Sequence, residues 1–99
     1  MAKFVQTIEF KTTRIDEFTS ALDDWLTTTE RGSGATRGLQ TKDREQDDTY
    51  VQIVDFPSYE QAMANSTRPE TSVLAETLAK LCDGPPVFRN LNVLREETM

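Results

Sequence analysis

The stretch Tyr50-Val51-Gln52-Ile53-Val54-Asp55-Phe56 decides the fold, because nearly every position in it is apolar or β-branched, on both faces. A strand with one face in water alternates apolar with polar residues, whereas a strand covered on both sides reads as a near-continuous apolar run. The length of 99 residues predicts a single domain, residues 1–99, with room for one core. So short a chain must find cover for both faces of one sheet, and that demand shapes the reading of everything around the stretch.

Downstream, Ser58-Tyr59-Glu60-Gln61 forms a capping box in which Ser58 starts a helix and Gln61 reaches back. That helix carries Tyr59, Ala62 and Met63 to Asn65-Ser66, where Pro69 interrupts. Thr67-Arg68-Pro69-Glu70 reads as a second capping box, which predicts a broken helix bent at Asn65–Thr67. Val73, Leu74, Leu78 and Leu81 form the apolar stripe of its second piece, and Gly84-Pro85-Pro86 stops it. Val87 to Arg95 is the last strand, with Val87, Arg89, Leu91 and Val93 on one face and Phe88, Asn90, Asn92 and Leu94 on the other.

Upstream, Lys3 to Lys11 is a strand with Phe4, Gln6, Ile8 and Phe10 on one face and Val5, Thr7 and Glu9 on the other. Thr13 to Arg31 is an amphipathic helix, capped by Thr13, striped by Ile15, Phe18, Leu22, Trp25 and Leu26, and closed by a left-handed Gly32. Gly34 to Lys42 is a weaker, polar strand suited to a sheet edge, with Leu39 as its anchor. Asp43 to Asp48 is a charged turn.

The order strand, helix, strand, strand, helix, strand is the split βαβ pattern of an α+β, ferredoxin-like βαββαβ unit. Right-handed crossovers then put the first and third strands at the centre of a four-stranded antiparallel sheet, order 4-1-3-2. The two helices cover one face. The other, carrying Val5, Thr7, Val51 and Ile53 or their alternates, has no cover within the chain. Soluble monomers rarely show so large an apolar patch. A homodimer with sheet against sheet resolves it.

Composition narrows the function. The net charge is −6, from 17 acidic and 11 basic residues, and the basic residues are scattered singly among carboxylates. Nucleic acid and anionic membrane surfaces are therefore excluded as partners, since both demand a basic stripe. There is no histidine, so neither a Ser-His-Asp nor a Cys-His constellation can form, and no metal-ligand or glycine-rich phosphate pattern is present. Cys82 is the only cysteine, which rules out an internal disulfide and makes it a small core residue. No signal peptide or bilayer-spanning run is visible, so a cytoplasmic location is expected.

The run FPSYEQAMANSTRPETSVLAETLAKLCDGPPVF, residues 56–88, resembles small bacterial proteins of the antibiotic-biosynthesis-monooxygenase-like group, within the dimeric α/β-barrel superfamily. The matching positions are Phe56, Ser58, Glu60 and Ala62 in the first turn, Asn65, Ser66, Arg68, Pro69 and Glu70 at the bend, and Gly84 and Phe88 before the last strand. The resemblance implies a cleft between helices and sheet. Some members oxidise polycyclic aromatic compounds there with oxygen and no cofactor, and others degrade haem through a histidine ligand that this chain lacks. Active members place an asparagine and a tryptophan on or beside the second helix. Asn65 matches the asparagine, and the tryptophan has no counterpart, since Trp25 sits on the first helix.

Two residues are candidates for catalysis. Asn65 at the bend either hydrogen-bonds a substrate carbonyl or enolate or caps the next helix. Arg89 either binds a phenolate or carboxylate, if its strand face points into the cleft, or forms an inter-element or dimer salt bridge. Gln6 and Gln52 interrupt the apolar central strands and either line a ligand pocket or are a pair of satisfied glutamines within the sheet. Trp25 with Phe18, and Tyr59 with Tyr50, either wall an aromatic pocket or belong to the core. Two functions follow: a homodimer that binds a small aromatic or polyketide-like ligand and acts as a cofactor-free monooxygenase, or a non-catalytic dimeric binding or interaction module.

Overall fold

Each central strand places its apolar residues against the other's. In the computed structural model, which describes residues 3–28 and 34–98, β1 (Phe4–Lys11) lies antiparallel to β3 (Thr49–Phe56), with Phe4 opposite Phe56 and Phe10 opposite Tyr50. β2 (Arg37–Lys42) pairs with the outer edge of β3, and β4 (Val87–Asn92) with the outer edge of β1. The order β2-β3-β1-β4 is the expected 4-1-3-2 read from the other side. Helices α1 (Ile15–Thr28), α2 (Tyr59–Ser66) and α3 (Pro69–Leu81) complete the ferredoxin-like α+β unit. No helix among the described residues is long and apolar enough to cross a membrane.

All three helices lie on one side of the sheet. Phe4 and Phe56 pack with Ala62 of α2, and Phe10 and Tyr50 pack with Phe18 of α1. Phe10 stacks on Phe18 at 4.1 Å between ring centroids and on Tyr50 at 5.6 Å. By alternation, Val5, Thr7, Val51 and Ile53 share the opposite face. The shortest extent of the molecule, 21 Å, is the thickness of two layers of about 10 Å each, so no third layer among the described residues covers that face. Leu39, the expected anchor of β2, is turned the same way and is 41% exposed.

Local departures from the sequence reading have physical causes. Thr12, not Thr13, supplies the hydroxyl at the start of α1. It accepts from the Arg14 N–H at 2.9 Å and donates to the Leu81 carbonyl at 2.6 Å, tying the first helix to the end of α3. Ser58 caps α2 as expected, its Oγ accepting from the Gln61 N–H at 3.2 Å. The second capping box does not form. Thr67 stays helical at the end of α2 (φ −89, ψ −2), and its hydroxyl donates back to the Ala64 carbonyl at 3.0 Å. The residue before a proline is driven to extended backbone. The N-cap of α3 is accordingly Arg68 (ψ 138), which has no side-chain cap. β4 ends at Asn92 rather than Arg95, although the Val93 N–H still donates to the Lys3 carbonyl at 3.0 Å. The expected helix end at Arg31 and the left-handed Gly32 lie outside the described residues.

Candidate functional site

The helix-covered face of the sheet has a divided core. One cluster gathers Phe4, Phe56 and Ala62, and the other gathers Phe10, Phe18 and Tyr50. Between them runs a band of side-chain amides contributed by every strand. Gln40 stands directly opposite Gln52, and in the adjoining row Gln6 stands directly opposite Asn90. Three of the four amides have partners. Gln6 Nε2 donates to Asn90 Oδ1 at 3.1 Å, and the Thr19 hydroxyl of α1 donates to Gln40 Oε1 at 3.3 Å. Gln52 Oε1 is buried and accepts no hydrogen bond from the described residues. A Cβ built on the neighbouring Gly38 would meet nothing nearer than Gln52 Nε2 at 3.9 Å. Gln52 Oε1 is thus a buried acceptor without a donor among the described residues, the kind of polar group that can fix a ligand in an otherwise apolar cleft.

Asn65 is buried at the corner between α2 and α3. Its Oδ1 accepts from the Thr71 hydroxyl at 3.3 Å, and its carbonyl accepts from the Arg68 N–H at 3.1 Å. Its amide nitrogen has no partner among the described residues. Tyr59 stands edge-on to Phe4 at 5.4 Å and is 52% exposed. Trp25 is half-buried and faces Val73 and Leu74 of α3 rather than the amide band. Gln6 and Gln52 thus share one face, with Asn65 at its helical corner, while Trp25 and Tyr59 occupy other parts of the helical layer.

Arg89 lies elsewhere. It is opposite Thr7 in the β1–β4 ladder, on the sheet face turned away from the helices, with Val87 and Leu91. The register therefore does not meet the condition under which Arg89 would reach the helix–sheet cleft. Arg89 has no ion-pair partner among the described residues. Burial first, and the Asp83 carboxylate second, push the Cys82 thiol pKa up, which lowers its thiolate fraction. No group of three potential metal ligands occurs among the described residues. Gln40 and Thr71 were not singled out by sequence. Gln40 becomes visible only once the β2–β3 register is known, and Thr71 only once the two helices are folded against each other.

No protein-family model matches the chain, and no curated protein matches it in sequence. Solved structures do match. A conserved protein from Methanosarcina mazei Go1 superposes with a TM-score of 0.79 at 9% identity, over 92% of each chain. A Caulobacter crescentus CB15 protein, provisionally assigned as an antibiotic biosynthesis monooxygenase, gives 0.79 at 12% identity, over 95% of this chain and 92% of that one. SnoaB from Streptomyces nogalater, a cofactor-independent oxygenase, gives 0.76 at 17% identity, over 100% of this chain and 98% of SnoaB. The chain has the antibiotic-biosynthesis-monooxygenase-like fold. At these identities the likeness concerns the fold, so the antibiotic-biosynthesis-monooxygenase-like architecture sets where a site can lie and the residues themselves must argue what it does.

Proposed function

We propose that this single-domain chain works as a homodimer that binds a small hydroxylated aromatic compound between helices and sheet, and oxidises it as a cofactor-independent monooxygenase. The buried, unsatisfied Gln52 Oε1 carries the reading. A planar ligand entering the amide band would contact the Phe4–Phe56 cluster at one edge and the Phe10–Tyr50 cluster at the other, and donate its hydroxyl to Gln52. The Asn65 amide nitrogen, without a partner among the described residues, suits a carbonyl or enolate oxygen. The fold shared with SnoaB supports the oxygenase step. In that step the substrate's own phenolate or enolate supplies the electrons. One oxygen atom enters the substrate and the other leaves as water, so an activated methylene becomes a carbonyl.

The uncovered sheet face, with Val5, Leu39, Val51, Ile53, Val87 and Leu91, supports the dimer. Arg89 sits within it, where a carboxylate of the second copy would satisfy it.

Oxygen uptake with a panel of hydroxylated polyaromatics tests the reaction. Uptake matched by oxidised product, and lost in Gln52→Leu and Asn65→Ala, is the expected result. The non-catalytic alternative rests on Asn65, whose side chain and carbonyl already hold the α2–α3 corner. Saturable binding without uptake supports that alternative, and absence of both binding and uptake overturns the site.

A further inference from the structure

A second concavity lies in the helical layer itself. Ala21, Asp24 and Trp25 of α1 face Glu70, Val73 and Leu74 of α3 across a groove of ≈ 330 Å3. The spacing is helical on both sides, so one stripe from each helix builds the walls. The volume falls in the range of small-molecule sites. Its surface is mainly apolar, and Val73 is 63% exposed although it belongs to the apolar stripe of α3.

Two carboxylates edge this apolar surface, and they differ. Glu70 Oε2 is 3.3 Å from Arg68 Nε, so its charge is partly answered. Asp24 has no ion-pair or hydrogen-bond partner among the described residues. The groove thus sets an unanswered negative charge beside an indole ring and aliphatic side chains. An indole face attracts cations through its quadrupole, and a carboxylate does so through charge.

We propose that the groove between α1 and α3 binds an organic cation with an apolar body, an amine or quaternary ammonium carried on an aryl or alkyl group. The charged head sits between Asp24 and the Trp25 ring, and the apolar body lies along Val73 and Leu74. This site is separate from the amide band on the sheet. It stays open when the opposite sheet face is covered, because the helices lie on the other side. The inference stands whether or not the oxygenase reading does.

Trp25 is the only tryptophan, so its emission reports this groove and no other part of the chain. The full chain is titrated with phenyltrimethylammonium and, separately, with its uncharged isostere tert-butylbenzene. The expected result is a saturable emission change with the cation at least about tenfold tighter than with the isostere, and weakened by added salt. Asp24→Asn, on an exposed side chain, weakens the cation several-fold, and Val73→Lys blocks it by placing a tethered ammonium in the groove. Gln52→Leu leaves the titration unchanged, which separates this site from the amide band. Equal binding of the isostere, purely collisional quenching, or an unaltered titration in Asp24→Asn overturns the proposal.

Discussion

At the scale of single residues, the binding role proposed for Gln52 is set against stability. A buried acceptor without a donor costs roughly 1–3 kcal/mol of desolvation, and replacing it with an apolar group of similar shape removes that penalty. Gln52→Leu is therefore expected to raise the urea midpoint, by about 1 kcal/mol in unfolding free energy, while abolishing ligand binding. A lower midpoint would mean that Gln52 is already satisfied and serves the core. Cys82 makes a pH-dependent case. Its folded pKa is raised by burial and then by Asp83, so folding favours the protonated thiol. That contribution is complete below the ordinary thiol pKa and is lost as pH rises through the higher folded value. Alkylation of the native chain should begin at higher pH than alkylation of the urea-unfolded chain, and coincident profiles would refute it. The amide types at positions 6 and 52 were legible in the sequence as interruptions of apolar strands. The missing donor at Gln52 was not, because partners depend on register and on helix placement.

At the scale of elements, the contrast between Ser58 and Thr67 shows what local sequence can and cannot determine. Both head a Ser/Thr-x-x-Glu/Gln pattern. Ser58 follows Pro57 in extended backbone (φ −159, ψ 163), where its hydroxyl reaches the Gln61 N–H. Thr67 is the last residue held by α2, and Pro69 forces the extended conformation onto Arg68 instead. The break was readable from proline, but the cap was not, because two rules competed for adjacent residues and the steric one won. The effects of substitution should differ accordingly. Ser58→Ala is expected to cost about 1 kcal/mol, the usual value of a lost N-cap. Thr67→Ala is expected to cost a few tenths of that, since its hydroxyl only bonds back to Ala64 and α3 does not depend on it. Urea unfolding of the two variants side by side checks the order, and equal losses would show that Thr67 caps α3 after all.

At the scale of the whole molecule, strand order and the gathering of the helices on one side were legible, because the crossovers allow one hand, but which face they cover was not, because the central strands are apolar on both. The turning of Leu39 and Arg89 away from the helices was harder to read. A polar edge strand carries too weak an alternation to declare its inward face, and only the ladder with β3 or β1 fixes it. That geometry puts Leu39, Val87 and Leu91, each between 41% and 43% exposed, around the more central Val5, Val51 and Ile53. Burying such a surface against a second copy is worth about 25 cal/mol per Å2 of apolar area, and the centre of a face contributes most because it is fully desolvated. Ile53 is central by strand order and lies opposite both Leu39 and Thr7. Ile53→Lys should therefore convert the proposed dimer to monomer in sedimentation velocity with the secondary structure retained, since a lysine there points away from the helical core. Leu94→Ser, at a 96% exposed position beyond β4, should leave the dimer unchanged. If the parent chain sediments as one subunit at micromolar concentration, or if Ile53→Lys leaves two subunits together, the sheet face is not the interface and the charge of Arg89 needs another explanation.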